Sequence, residues 1–396
     1  MELSSSNISN TYFVKQWQTW AGSLHRVLCM QGGDGDSSYA KNSEASASAI
    51  TLCQPLLLSA LQSMKLFFLS KEDADSIRVA DLGCATGYNT LATMNMVVNT
   101  LTQRYLNACG FEPEFEAFFC DLPSNDFNSL FRSLEAMFAD GKARQYYAVG
   151  VPGSFYHRLF PRGKLHVAVT LSALHWLSKI PDAVLDKTSR SWNRGRVWIE
   201  GAKKEVVEAY ARQSEKDLED FLRHRREEIV VGGILFILMA GRPGSEPPEN
   251  QLDADSRAKH PFTVSMDQAW QDLINEGLID EETRDWFNIP AYMRSVEEVE
   301  AAVKKCGGFE IKRIEYKRIA EHSEEKQEEW IKDPGSYARA KANLVRATLR
   351  PIVDAHIGPD LSEQLFQRFQ NRVSSDTALL HKTCFYGVII VSAIRV

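Results

Sequence analysis

Apolar and polar positions fall into blocks along the chain, and the blocks predict an α/β protein. Short apolar or β-branched runs at 77–82, 115–120, 164–171, 232–239, 309–316 and 384–394 read as strands, the first buried on both faces. Apolar residues at three- and four-residue spacings predict helices over 12–30, 45–68, 203–230, 265–276, 296–305, 337–356 and 361–372, with further helices opening at Asn89 and Phe127. Phe13, Trp17, Trp20, Leu24 and Leu28 form the stripe of the first. The charges of 203–230 form a solvated face. Residues 241–260, rich in Pro, Gly and acids, read as a loop or insertion. No internal repeat is visible.

Four junctions between blocks carry candidate chemistry. The first strand runs Val79-Ala80-Asp81-Leu82 into Gly83-Cys84-Ala85-Thr86-Gly87, and a helix opens at Asn89. Strand, glycine turn and helix form half of a nucleotide-binding unit. The spacing is D-x-G-x-x-x-G, which suits neither a dinucleotide pyrophosphate nor a P-loop. An acid at that strand end suits a ligand with a cationic amino-acid head, such as S-adenosylmethionine; the alternative is a strand–turn–helix with no ligand. Asp121 follows the second strand, where a carboxylate can accept from both ribose hydroxyls. Leu122 can cover an adenine face, and Ser124 or Asn125 can cap the next helix. Pro152 and Gly153 force a turn that presents Ser154 and Phe155 to the adenine. His175 and Trp176 follow the strand at 164–171, where two N–H donors would face the ligand crevice; core packing is the competing account. Upstream, the loop at 30–43 ends in Tyr39, Asn42 and Ser43, and reads either as a linker or as a lid over a ligand.

Composition narrows the class. At 396 residues the chain is long for one domain, and its net charge of −6 gives no reason to expect nucleic acid or an anionic membrane as partner. Seven scattered cysteines without C-x-x-C pairs suit reduced thiols in the cytoplasm. Neither a membrane-spanning run nor a signal peptide is apparent.

Six stretches occur in a fixed order: M-Q-G-G-D-G-D-S-S-Y-A-K-N-S from Met30, D-L-G-C-A-T-G-Y-N-T from Asp81, D-L-P-S-N-D-F-N from Asp121, G-V-P-G-S-F-Y-H-R-L-F-P from Gly150, L-H-W-L-S-K-I-P from Leu174, and F-N-I-P-A-Y from Phe287. With them the chain resembles the plant SABATH methyltransferases from about residue 28 to its end. W-N-R-G-R-V from Trp192 and A-H-I-G-P-D-L-S from Ala355 are most similar to the indole-3-acetate and cinnamate carboxyl methyltransferase branch. The resemblance implies a Rossmann-like class I methyltransferase sheet with a largely helical cap. The expected organisation is an N-terminal helical arm (1–30), an S-adenosylmethionine-binding α/β core (31–240), a cap with a returning strand (241–380) and a final strand (381–396). It places the cofactor on Tyr39, Asn42, Ser43, Asp81, Cys84, Asn89, Asp121, Leu122, Ser154 and Phe155, and the carboxylate grip on His175 and Trp176. Tyr39, Ser46, Ser172, Phe262, Tyr292 and Tyr386, with Trp286, are the expected substrate walls. Family members also imply a Mg2+ site from Asn193, Asp285, the Phe287 carbonyl and Asn288, all oxygen ligands as a hard cation requires. Homodimers are common in the family.

Three departures bear on the substrate, a small-molecule carboxylic acid. Gln31 replaces the lysine common before the paired glycines, Ser46 replaces a glutamine that helps hold the carboxylate, and Ser172 replaces an aromatic residue. They predict a roomier, more polar pocket than in salicylate-type members, and hence an O-methyltransferase esterifying cinnamate or p-coumarate. Indole-3-acetate is the next expectation, then salicylate, benzoate or jasmonate. Two other classes compete: a xanthine-type N-methyltransferase and a catalytically silent binding protein.

Overall fold

In the computed structural model, which describes residues 24–72, 74–139, 144–252, 263–376, 380 and 385–396, one seven-stranded sheet carries the molecule. Its strands are β1 (Ile77–Leu82), β2 (Phe115–Asp121), β3 (Tyr147–Pro152), β4 (Leu165–Leu171), β5 (Ile229–Ala240), β6 (Phe309–Ala320) and β7 (Phe385–Arg395). They lie in the order β3-β2-β1-β4-β5-β7-β6. The first five pair in parallel, and β7 runs antiparallel between β5 and β6. The order reverses between β1 and β4, and a crevice outside the carboxyl ends of the strands opens at such a switch point. This is the class I methyltransferase sheet that the resemblance implied.

The helices in chain order are α1 (Glu44–Ser63), α2 (Tyr88–Cys109), α3 (Phe127–Met137), α4 (Lys204–Glu228), α5 (Val264–Asn275), α6 (Glu281–Trp286), α7 (Val296–Cys306), α8 (Glu324–Lys332), α9 (Pro334–Ile357) and α10 (Pro359–Ser375). Val79, Val97, Phe115 and Phe236 belong to the core on one face of the sheet, and Leu82, Phe221, Leu235 and Val303 to the core on the other. A third core lies in the helical cap and includes Trp270, Leu349 and Phe366. It also takes in Leu177, Trp198 and Tyr210, so cap packing begins well before residue 241.

Several boundaries differ from the expectation. The helix expected to reach residue 68 ends at Ser63, where the Arg104 guanidinium donates to the carbonyls of Leu61 (2.6 Å) and Met64 (2.8 Å) and caps the freed acceptors. Strand β3 was not foreseen; it is a half-exposed edge strand without a continuous apolar run. The short α6 and the charged α8 were also missed. Helix α3 is capped by Asp126, whose Oδ1 accepts from Ser129 N at 2.9 Å, rather than by Ser124 or Asn125. Asn125 instead donates to the Ala85 carbonyl across the glycine turn. The expected first helix lies outside the described residues up to 23, and from Leu24 it is a single 3-10 turn, Leu24–Arg26. Among the described residues no helix is long and apolar enough to cross a membrane.

Candidate active site

The glycine turn after β1 opens the site. Gly83 has φ +87°, and a Cβ there would lie 2.3 Å from the Ala173 Cβ, so the backbone approach requires glycine. Ala85 holds the left-handed region without being glycine, and its N–H donates to Asp121 Oδ2 at 2.7 Å. Asp121 Oδ1 accepts from Leu122 N at 2.7 Å. These two bonds fix the carboxylate at the end of β2 while leaving it acceptor capacity for hydroxyls. Asp81 is 2% exposed; its Oδ2 accepts from Thr90 Oγ1 at 2.5 Å, and its Oδ1 has no partner. Burial raises its pKa to about 7, with the Asp121 charge adding to the rise. Burial raises Asp121 to about 6 against its two backbone N–H bonds. A buried carboxylate with an orphan oxygen is a site for a cation.

Two cavities meet over this turn. The first holds about 940 Å³ of empty space, mouth included, and is lined by Asp81, Cys84, Asn89, Asp121, Leu122, Ser154 and Phe155. Eight of the ten residues expected to hold the cofactor are therefore together here, Tyr39 being the eighth. Asn42 and Ser43 line the second cavity instead. The Asn42 amide donates to the carbonyls of Asp36 and Ser38 and ties its own loop, while Ser43 Oγ accepts from Asn89 at 3.2 Å. That loop is folded over the turn: Gly33 N donates to Asp126 Oδ2, and Gln31 N donates to the Ala347 carbonyl of α9.

The second cavity holds about 1080 Å³ of empty space and is mostly apolar. Tyr39, Ser46, Ser172, His175, Trp176 and Tyr386 line it, as the substrate residues were expected to. Met30, Tyr39, Ser46, Ser172 and Trp176 border both cavities and form the partition. Tyr39 Oη donates to Ser46 Oγ at 3.3 Å. Ser172 holds a φ of +62° at the end of β4, a conformation that L side chains rarely adopt. The indole N–H of Trp176 makes no hydrogen bond among the described residues, so a donor is left at the partition.

Two expected walls lie elsewhere. Tyr292 is 1% exposed and turned into the protein, where its Oη donates to Glu298 Oε1 at 2.8 Å and Arg242 lies over its ring. Trp286 packs against Trp192 and donates to Glu282. Phe262 lies outside the described residues. The stretch around Tyr292 serves the site through its backbone. Tyr292 N donates to the His175 carbonyl (3.0 Å), Leu177 N donates to the Pro290 carbonyl (2.7 Å), and Trp176 bridges Ala291. Buried Arg294 donates to the Leu174 carbonyl at 2.6 Å. Sequence reasoning missed Ile50, Gln251, Leu252, Met293, Glu321, Leu344 and Thr348 as cavity walls. They come from distant helices and loops and carry no local signal.

The four residues expected to bind Mg2+ do come together, but as one another's partners. Asn193 donates to Asn288 Oδ1 at 2.8 Å. Asp285 Oδ1 accepts from Gly195 N (2.9 Å) and from the guanidinium of Arg284 (2.8 Å). Asn288 Oδ1 and Asp285 Oδ1 thus already have protein donors and a fixed cation neutralises the carboxylate, so these two oxygens are not presented to a hard divalent ion. Among the described residues no group of three or more His, Cys, Asp or Glu side chains is placed to hold a metal.

Comparison with known proteins gives the same picture. The model of the SAM dependent carboxyl methyltransferase family matches residues 25–395. The chain is 62% identical to gibberellic acid methyltransferase 2 of Arabidopsis thaliana over 96% of its length and 97% of that protein's. It is 54% identical to gibberellic acid methyltransferase 1 of the same plant, over 94% and 99%. A solved structure of loganic acid methyltransferase with SAH is similar with a TM-score of 0.78 at 32% identity, covering 93% of this chain and 99% of that one. The chain belongs to the SABATH family of S-adenosylmethionine-dependent carboxyl methyltransferases.

Proposed function

We propose that this enzyme esterifies the carboxyl group of a gibberellin-type acid, a hydroxylated fused-ring carboxylic acid. The observation that carries the reading is the meeting of the two cavities at Tyr39, Ser172 and Trp176. One holds buried carboxylates suited to a cationic cofactor, and the other is wide, mostly apolar and has the Trp176 N–H donor at the meeting point. The names of the two Arabidopsis relatives narrow the acid.

Bound S-adenosylmethionine supplies an electrophilic methyl group on a sulfonium. Asp81 takes the cationic amino-acid head, Asp121 the ribose hydroxyls, and Leu122, Ser154 and Phe155 the adenine. On the other side, the acid is ionised near neutrality, with a pKa of about 4 like a side-chain carboxyl, and needs no general base. His175 and Trp176 hold one carboxylate oxygen through N–H donors and aim the other through the partition. An arginine in their place would quench the nucleophile. The loop over the turn and the apolar walls exclude water. No step runs through a metal.

The test is kcat/KM across a panel of a hydroxylated gibberellin, cinnamate, p-coumarate, indole-3-acetate, salicylate, benzoate, jasmonate and xanthines. The gibberellin is expected to lead by at least about 100-fold, the scale set by misplacing a small acid by about 1 Å. Its product should be a base-labile ester. A lead for cinnamate or p-coumarate would restore the smaller-acid expectation and overturn the gibberellin assignment. An N-methylated product would overturn carboxyl transfer, and no turnover at all would favour a binding protein.

A further inference from the structure

The far end of the acid cavity holds a charged pair that the transfer chemistry does not use. Glu321 lines the cavity and is ion-paired with Lys341 of α9, their side chains 14% and 5% exposed. Taking two charges out of water is costly, and an apolar pair of similar volume would serve the fold as well or better. An ion pair retained against a cavity that is otherwise mostly apolar therefore suggests a polar group to be read there.

Its place in the sheet agrees. β4, β5 and β6 all end at the same edge of the sheet, where β7 begins. Ser172 follows β4 and leads to His175, whereas Glu321 follows β6. Three inter-strand steps separate the two strands, and β6 also runs five residues past the level of Leu171, which registers through Leu238 and Ile390 with Glu315. The carboxylate grip and Glu321 therefore lie on separate parts of the wall of one cavity, more than the width of a single aromatic ring apart. Two other polar groups of the cavity wall are committed. The Gln251 amide is used by the Pro248 carbonyl and Met293 N, and the Thr348 hydroxyl donates to its own helix.

We infer that Glu321, held by Lys341, is a specificity-determining residue that accepts a hydrogen bond from a hydroxyl on the ring system of the acid substrate. An ionised carboxylate has about four acceptor sites, so Lys341 together with a further interaction of Glu321 does not exhaust them. The inference deepens the gibberellin assignment and rests on it for the identity of the acid.

The experiment compares acids that differ by one ring hydroxyl: a hydroxylated gibberellin against its deoxy counterpart, and p-coumarate against cinnamate. The readout is the hydroxylated-to-deoxy ratio of kcat/KM. The wild type is expected to favour the hydroxylated gibberellin. Glu321→Gln should lower that ratio by about 10- to 100-fold, the scale of a hydrogen bond to a charged group, with the loss in KM rather than kcat. Because Glu321→Gln strands the Lys341 charge, the double variant Glu321→Leu/Lys341→Met tests the same point without a buried unpaired cation and should lower the ratio equally. A wild-type ratio near one, or a ratio unchanged in a folded variant, overturns the inference. If the wild type turns over only the cinnamate pair, the gibberellin reading fails, and the p-coumarate-to-cinnamate ratio then decides the role of Glu321 alone.

Discussion

Cofactor affinity should depend on pH through Asp81, and the structure sets the size of the effect. Asp81 is buried, bonded on one oxygen to Thr90 and without a partner on the other, and its pKa is raised to about 7. A raised carboxyl pKa means the empty protein holds a proton there at pH 6, so a cationic ligand must expel it. At pH 6 only about a tenth of such groups are ionised, and at pH 8 about nine-tenths. The Kd for S-adenosylhomocysteine should therefore tighten about fivefold between pH 6 and 7, by about a further twofold to pH 8, and level off above. Below pH 6 the slope should steepen, because Asp121 titrates near 6 and must also ionise. The assay is calorimetric titration between pH 5.5 and 7.5, where the ligand's own amine stays protonated. Asp81→Asn should flatten the profile between 6 and 7.5 and weaken binding at pH 7.5 by about 10- to 100-fold. A wild-type Kd that is flat across this range would show that the cation does not sit on Asp81.

Trp176→Phe keeps the ring but removes the free indole donor at the partition; kcat/KM should fall about 10- to 1000-fold while S-adenosylhomocysteine affinity is kept. Tyr292→Phe removes the bond to Glu298 without touching the cavity, so chemical denaturation should show a loss of about 1 kcal/mol with an unchanged KM for the acid. Ser172→Gly relieves a positive φ and should raise unfolding free energy by about 1 kcal/mol, unless a bonded hydroxyl offsets it. Exhaustive chelation should change kcat/KM less than twofold, because Arg284 already neutralises Asp285; a loss restored by Mg2+ would return the metal site to the mechanism.

What the sequence revealed follows from how local each feature is. Asp81 and Asp121 stand in the last two residues of their strands and Ser154 and Trp176 shortly past theirs, and in a parallel sheet that position alone brings residues far apart in the chain to one crevice. Two of their partners are also nearby: Thr90, just across the glycine turn, for Asp81, and the next residue's N–H for Asp121. Tyr292 misled for the opposite reason. An aromatic residue near the family motif looks like a wall, but whether its ring faces the cavity or Glu298 depends on α7, whose capping box fixes Glu298. At the expected Mg2+ residues the oxygen donors were legible in the sequence, but the guanidinium of neighbouring Arg284 on the same carboxylate was not. Glu321, Thr348 and Gln251 line the cavity through tertiary packing alone, so no spacing announces them.

The two motifs around His175 and Tyr292 are best understood as one device. Residues just past a strand have no ladder to hold them, yet a grip on a carboxylate must stay fixed to a fraction of an ångström. Here four consecutive residues are held by another stretch of backbone. The Leu174 carbonyl is bonded by Arg294, the His175 carbonyl by Tyr292 N, Trp176 bridges Ala291, and Leu177 N reaches the Pro290 carbonyl. Arg294 is 1% exposed and its other terminal nitrogen donates to the Ser214 carbonyl on α4, so it ties this stretch to a helix as well. Because these bonds are mostly between backbones, they fix residues 174–177 without using the indole N–H of Trp176 at the partition. That explains why Tyr292 can turn its ring away from the cavity and still belong to the site.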